Sequence, residues 1–276
     1  MIKLGEYNEL KVSKERDFGI FVTDGEQEIL IPKGSLAGEK PSIDETIRVF
    51  IYRDSEDRII GTLKKPLGTC FEISYLKVVD ITSIGAFADI GIGRDVLIPL
   101  KEQLYKLHTG QKYLLYLYID KTGRIAATTD VEDYLEVAPD YKIDDEVTAV
   151  VYEINENNTL KLAVDNKYKA LMLKNEYYDY IPMGEELKLR IRRIYEDGTL
   201  GLTTRKRKLD EREVLIEKIL KALTENGGSI PFNDKSNPED IRREFNTSKN
   251  YFKMTLGALM KQGKVYQDET GTHLKQ

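Results

Sequence analysis

The sequence of 276 residues contains no tryptophan, a single cysteine, Cys70, and two histidines, His108 and His273. A lone thiol cannot form a disulfide within the chain, which excludes the small disulfide-stabilised class of secreted proteins. Neither histidine lies in a ligand-spaced pattern, so the usual zinc motifs are absent. These shortages predict a cytoplasmic protein without a metal or another cofactor.

Long apolar runs are missing as well. No segment approaches the roughly 20 apolar residues that cross a bilayer. The N-terminal stretch MIKLGEYNEL has no apolar core of a signal peptide. We therefore expect no membrane partner.

Catalytic motifs are scarce. The glycine-containing stretch GIGRD at 91–95 lies between two predicted strands, whereas a nucleotide-binding glycine loop opens a helix. The acidic trio at 144–146 opens a strand and has no obvious second cluster that would complete a two-metal site. We predict that the protein is not an enzyme, and metal-dependent nuclease activity is the alternative.

Charge is unevenly distributed along the chain. Residues 1–204 contain 27 lysines and arginines against 36 aspartates and glutamates, a balance of −9. Residues 205–276 contain 15 against 11, a balance of +4. An acidic body with a basic C-terminal segment argues against strong non-specific binding of duplex DNA, but it permits a local nucleic-acid surface.

A repeat dominates the first 204 residues. RDFGIFVTDGEQEILIP at 16–32 returns as TSIGAFADIGIGRDVLIP at 82–99, each with the period-two alternation of strands. Each repeat of about 65 residues reads as a strand, a hairpin, a loop and a second hairpin, which is typical of a small, partly open Greek-key barrel of the OB type. We predict three tandem five-stranded OB-type barrels at 1–66, 67–140 and 141–204, the third being degenerate.

Residues 205–276 are predicted to form a basic linker and a winged-helix domain, and from Asp210 the pattern becomes helical. After a basic linker, TTRKRK, the stretch DEREVLIEKILKALTENGG places apolar residues on one helix side: Val214, Ile216, Ile219, Leu220 and Leu223. Asn237 and Pro238 start a second helix, and a third helix and a hairpin follow. This order resembles a winged helix, so the predicted fold class is mainly β with a C-terminal α+β domain.

The stretches FGIF and IGAF, each followed by a hairpin ending in LIP, resemble the RNA-binding domain of ribosomal protein S-one. Three such barrels followed by a basic helical domain resemble the conserved virulence factor B family of bacterial RNA-binding proteins. The resemblance covers essentially the whole chain, and it implies that the barrels bind single-stranded RNA.

The resemblance implies specific contact residues. Phe18 and Phe21 match both aromatic positions of the family in the first repeat, and Phe87 matches one in the second, where Ile84 replaces the other. The family's Asp–Arg pair near the last hairpin is matched by Asp54 and Arg58, and by Asp120 and Arg124. Pro32 and Pro99 stand where the family often has histidine, and the third repeat has neither the aromatics nor the Asp–Arg spacing.

Strand alternation adds further RNA-binding candidates on the outer faces. Inward Ile47, Val49 and Ile51 send Arg48, Phe50 and Tyr52 outward. The same argument places Tyr116 and Tyr118 on the outer face of the second repeat. In the third it gives a basic stripe of Lys188, Arg190 and Arg192.

Structural interpretations compete with these binding roles. Phe18 and Phe21 are also suited to plugging a small barrel, Tyr116 and Tyr118 to joining one barrel to the next, and the basic stripe to an ordinary solvated face. The Asp–Arg pairs lie in polar turns, where such residues are common.

In the winged helix, Lys249, Asn250 and Lys253 are expected on the exposed side of the second helix of the turn motif, which in such domains enters a DNA major groove. Winged helices also bind proteins or RNA. The leading hypothesis is therefore a non-catalytic, RNA-binding regulator of expression. The alternatives are a DNA-binding transcription regulator and a protein adaptor of the translation machinery.

Overall fold

The computed structural model of the chain describes residues 1–177, 179–205 and 208–275, with the backbone alone for 208–211. It divides into two compact units, Met1–Thr204 and Arg205–Gln276. The first contains three closed five-stranded barrels, and the second is a small domain of helices with a short sheet. This confirms the predicted fold class. Among the described residues, no helix is long and apolar enough to span a membrane.

Barrel 1 follows the alternation of its sequence, with Leu10, Val12, Ile20 and Val22 pointing into its core. The barrel is closed rather than partly open, because β3 and β5 pair in parallel at Leu30 and Ile60. Its strands are β1 Tyr7–Arg16, β2 Gly19–Thr23, β3 Glu28–Pro32, β4 Thr46–Arg53 and β5 Ile59–Thr62.

Barrels 2 and 3 repeat this topology, and each also closes through a parallel pair. Barrel 2 consists of β6 Ile73–Thr82, β7 Gly85–Asp89, β8 Asp95–Pro99, β9 Lys112–Ile119 and β10 Ile125–Thr128. Barrel 3 consists of β11 Glu146–Ile154, β12 Leu160–Val164, β13 Tyr168–Met172, β14 Glu186–Ile194 and β15 Leu200–Thr203.

The glycine shared by the FGIF and IGAF stretches has a steric explanation. A Cβ added at Gly19 would lie 2.2 Å from the carbonyl oxygen of Ile31, and a Cβ at Gly85 would lie 2.2 Å from that of Ile98. Only glycine permits the backbone of the neighbouring strand to come so close. The repeat is therefore partly a requirement of the hairpin itself.

The outward direction predicted for Phe50 and Tyr52 is correct for barrel 1 alone, but their predicted exposure is wrong. Phe50 is 0% exposed and Tyr52 5%, because barrel 2 packs on this face of β4. Both rings join a core cluster with Leu76 and Leu115 of barrel 2. A strand that is covered on both faces needs apolar residues on both, which explains the continuous run VFIY.

Strand β9 is covered on both faces for the same reason. Leu115 lies in the core of barrel 2, while Leu114 belongs to a second cluster that includes Val150 and Tyr152 of barrel 3. The Tyr75 hydroxyl also donates a 2.7 Å hydrogen bond to the carbonyl oxygen of Gly184. The three barrels are thus joined by buried apolar contacts as well as by the chain.

The second compact unit has the predicted winged-helix order. Its helices are α1 Lys208–Glu225, α2 Pro238–Phe245 and α3 Lys249–Lys261. Its strands are β16 Ser229–Ile230, β17 Val265–Gln267 and β18 Thr272–Leu274, in the sheet order β16–β18–β17. The side chains of Asn237 and Ser248 accept hydrogen bonds from backbone N–H groups and so cap α2 and α3.

One predicted core position of α1 is wrong. Val214 is 40% exposed, whereas Leu215, Ile219 and Leu223 are buried. Their spacing of four residues forms the stripe that faces the domain core. Residues 206 and 207 of the predicted basic linker lie outside the described residues.

Candidate nucleic-acid interface

Barrel 1 presents two aromatic rings on its surface. Phe18 is 58% exposed and Phe21 is half-buried, so the interpretation that they plug the barrel is wrong. The rings meet edge to face with centroids 6.1 Å apart, and Lys14 Nζ lies 4.7 Å from the centroid of Phe21. Lys14 also pairs with Glu28, so a carboxylate compensates this cation. The arrangement combines aromatic faces with a lysine, the two features that bind single strands.

The turn between β4 and β5 of barrel 1 holds an arginine, Arg58, in place through Asp54. Asp54 accepts hydrogen bonds from the backbone N–H groups of Glu56 and Arg58 and a 2.9 Å bond from Arg58 Nε. Burial raises the pKa of Asp54, but these hydrogen bonds outweigh it and leave the pKa below its ordinary value. Asp54 therefore stays ionised and fixes Arg58, whose side chain remains 66% exposed.

The lowered pKa of Asp54 leads to a prediction for stability. The contribution of this carboxylate is present above its unfolded pKa of about 3.9 and is lost as pH falls through its lower folded pKa. Asp54→Asn should therefore lower the melting temperature at pH 7, and its difference from wild type should shrink at pH 3. Thermal melts of both proteins at the two pH values test this. The exposed Glu56→Gln on the same turn is the control, and a pH-independent difference would contradict the assignment.

A groove of about 720 Å³ lies beside Phe87 of barrel 2, the counterpart of Phe21 in barrel 1. Ile84, Phe87, Pro99 and Tyr118 line it, so the aromatic and substituted positions predicted for this repeat lie together. Phe87 and Tyr118 are half-buried, with part of each side chain accessible. Barrel 1 adds Tyr52, Arg53, Asp54 and Ser55 to the wall.

Arg124 does not make the side-chain pair expected from the repeat. Its Nε lies 2.6 Å from Oδ1 of Asp57 on barrel 1. Asp120 instead accepts the backbone N–H groups of Thr122 and Arg124 and the Thr122 hydroxyl. The two Asp–Arg turns are alike in their backbone hydrogen bonds and differ in side-chain pairing, because Arg58 pairs within its own turn and Arg124 pairs with Asp57 of the neighbouring barrel.

The remaining candidates on β4 and β9 have mixed outcomes. Arg48 is exposed and its guanidinium lies 4.0 Å from the ring centroid of Tyr7. Tyr116 stacks on Tyr134 with centroids 3.4 Å apart and packs against the cluster between barrels 2 and 3. Tyr52 is buried and Tyr116 is stacked on Tyr134, so both rings serve the packing of the barrels. The prediction that these two tyrosines form an exposed surface for RNA bases is therefore wrong.

Barrel 3 differs from the others at the aromatic position. Phe21, Phe87 and Lys161 occupy the same place, directly opposite the residue that follows a bulge in the first strand of each barrel. Lys161 pairs with Glu153 at 3.0 Å and with Glu132 at 3.4 Å. Barrel 3 thus has a neutralised cation where the first two barrels have a ring.

The basic stripe of barrel 3 is largely compensated by carboxylates. Arg190 pairs with Asp144, and Arg192 pairs with the buried Glu176. Lys188 is exposed. Ion pairs with the protein's own carboxylates lower the positive potential that this face offers to phosphates.

In the winged helix, Lys253 and Asn250 are exposed on α3. Lys253 Nζ lies 3.7 Å from Asp234, in a pair whose lysine side chain is 61% exposed. Lys249 is half-buried and donates to the carbonyl oxygen of Lys235. Lys253 and Asn250 are therefore the residues of this set that are most accessible to a partner.

Sequence reasoning missed three residues at these sites, Lys14, Asp57 and Arg94. Lys14 approaches Phe21 because a bulge between Val12 and Lys14 shifts the strand register. Asp57 and Arg94 meet their partners across the junction of barrels 1 and 2. A cross-strand register and a barrel junction leave no local pattern in the sequence.

Three comparisons place the chain among known proteins. Residues 4–64 and 72–130 match the family described as the S1 domain, and residues 217–274 match the CvfB-like winged helix domain. A crystal structure from Streptococcus pneumoniae TIGR4, described as a multidomain protein with nucleic acid binding domains, aligns with a TM-score of 0.56. The two chains are 26% identical, and the alignment covers 98% of each.

Two relatives extend the similarity along the chain. The uncharacterized protein YitL of Bacillus subtilis is 32% identical over 281 residues, which cover 98% of this chain and 93% of the relative. Conserved virulence factor B of Staphylococcus epidermidis is 31% identical over 242 residues, covering 83% of this chain and 79% of the relative. The order of S1 barrels and winged helix, together with these relatives, shows that the chain belongs to the conserved virulence factor B family.

Proposed function

We propose that this protein binds single-stranded RNA on barrels 1 and 2 and acts in the cytoplasm as a non-catalytic regulator of expression after transcription. Its S1 and winged-helix domains, and its similarity to a protein described as having nucleic acid binding domains, indicate nucleic-acid binding. The observation that carries the proposal is the exposed ring of Phe18 in edge-to-face contact with the half-buried Phe21, beside Lys14.

The chemistry of this surface favours a single strand. Unpaired bases stack on aromatic rings at about 1–3 kcal/mol per base, whereas the bases of a duplex already stack on one another. Lys14, which pairs with Glu28, and Arg58, which pairs with Asp54 and Glu56, would supply donors for the phosphates that accompany such bases by exchanging these carboxylates for phosphate. The net charge of −9 in residues 1–204 opposes non-specific attachment of duplex DNA to the barrels.

The experiment that tests the function compares ligands at several salt concentrations. Fluorescence anisotropy measures binding of a 20-nucleotide RNA, the matching single-stranded DNA and the matching duplex DNA. We expect the RNA to bind more tightly than the duplex throughout the series. Equal affinity for random duplex DNA would contradict the proposal and favour the alternative of a DNA-binding regulator that uses α3.

The winged helix is expected to add electrostatic contacts. Removing residues 205–276 takes away the segment with a balance of +4, and it leaves a compact unit with its own cores. RNA binding should weaken, and the plot of log affinity against log salt should flatten, because fewer counterions are released. Titrations of the full chain and of residues 1–204 measure both. An unchanged slope would show that the winged helix makes no phosphate contact with the RNA, as expected if it binds a protein instead.

A further inference from the structure

The groove beside Phe87 is lined by residues of both barrel 1 and barrel 2. Residues of barrel 2, among them Phe87 and Tyr118, line it together with Arg53, Asp54 and Ser55 of the β4–β5 turn of barrel 1. A ligand in this groove would touch both barrels at once. The role of this groove as an RNA subsite rests on the proposed RNA binding, and the contacts between the two barrels decide how the subsite opens.

Three contacts hold the β4–β5 turn of barrel 1 against barrel 2. Arg94 Nη2 donates to Ser55 Oγ at 3.2 Å. A Cβ added at Gly123 would lie 2.8 Å from Arg53 Nε, so Arg53 lies directly on this glycine. The third contact is the ion pair of Arg124 with Asp57. The turn is therefore seated on barrel 2 by the packing of Arg53 and by the Arg94–Ser55 hydrogen bond as well as by the ion pair.

The Arg124–Asp57 pair is exposed, unlike its counterpart in barrel 1. Its side chains are 49% and 56% exposed, whereas the Asp54 side chain that holds Arg58 is 5% exposed. Exposed ion pairs contribute little, and a phosphate offers a guanidinium the same charge-assisted hydrogen bonds as a carboxylate. The carboxylate of Asp57 thus occupies Arg124, one of the cationic donors that line this groove.

We propose that the groove between barrels 1 and 2 is a composite single-strand subsite in which Asp57 covers Arg124 until an RNA phosphate replaces it. Phe87 and Tyr118 supply the faces for a base, and Arg124 supplies the donor for the adjoining phosphate. Asp57 competes with that phosphate and so lowers the affinity of this subsite.

A double-mutant cycle with a 20-nucleotide single-stranded RNA tests the exchange. Asp57 has a φ of +62°, and asparagine tolerates this conformation, so Asp57→Asn removes the charge without straining the turn. We expect Asp57→Asn to tighten RNA binding about two- to fivefold, the range that corresponds to an exposed pair. Arg124→Gln should weaken binding and lower the salt slope by about 0.7, the value for one lost phosphate contact on a single strand.

The decisive measurement is Asp57→Asn in the Arg124→Gln background, where the gain should disappear. A gain of equal size in both backgrounds would mean that Asp57 acts only as a general negative charge, which overturns the proposal. A loss of affinity in Asp57→Asn would overturn it as well, since the pair would then build the site. Melting temperatures of all variants identify any unfolding. If the wild-type chain does not bind RNA at all, the proposed function itself fails, and this result is distinct from RNA binding without coupling.

Discussion

Phe21→Ala and Phe87→Ala are each expected to weaken binding of single-stranded RNA by about 1–3 kcal/mol, the range measured for loss of one base–aromatic stack. Both residues occupy the same position in their barrels, opposite the residue after the bulge in the first strand. Both are half-buried, so part of each ring is accessible to a base. Affinity by fluorescence anisotropy and stability by thermal melts are measured on the same proteins.

The third barrel offers a matched control for this prediction. Lys161 lies at the equivalent position and is engaged by Glu153 and Glu132. Lys161→Ala should leave RNA affinity nearly unchanged. Phe18→Ala should weaken binding through barrel 1. Barrel 2 has no matching ring, because Ile84 stands at the equivalent position. Full RNA affinity in Phe21→Ala and Phe87→Ala, together with a sharply lower melting temperature, would show that the rings serve the fold alone.

Phe50→Ala is expected to lower the free energy of unfolding by about 3–5 kcal/mol, the usual cost of removing a buried phenylalanine. The ring is 0% exposed, meets Tyr7 edge to face at 5.7 Å and lies 6.2 Å from Tyr52. It belongs to the cluster that joins barrel 1 to barrel 2. Removing it leaves a cavity at the junction rather than within a single barrel.

Urea unfolding at pH 7 measures this loss, and Phe18→Ala is the control because its ring is 58% exposed. We expect Phe18→Ala to change the free energy of unfolding by far less than Phe50→Ala. Because the cavity lies between barrels, the Phe50→Ala transition should also broaden as barrels 1 and 2 lose cooperativity. Equal stability of the two variants would contradict the buried junction seen at β4.

The repeated hairpins are the part of the candidate site that the sequence predicts best. The spacing of FGIF and IGAF to LIP correctly predicted the β2–β3 and β7–β8 hairpins, and with them the shared position of Phe21 and Phe87. The Asp54–Arg58 pair was also predicted. The Asp120–Arg124 side-chain pair was not formed, because Asp57 of the neighbouring barrel lies within reach of Arg124.

Local chemistry in this sequence determined the strands, the hairpin glycines, the helix caps at Asn237 and Ser248, and the order of three barrels and a winged helix. These features depend on alternation, steric access and hydrogen bonds between residues close in the chain. Tertiary structure alone decided that Phe50 and Tyr52 are buried, that Tyr116 stacks on Tyr134, and that Arg124 pairs with Asp57. Each of these depends on which outer faces the barrels present to one another. Period-two alternation separates the two faces of a strand, but only the packing of whole barrels decides whether the outer face meets water or another core.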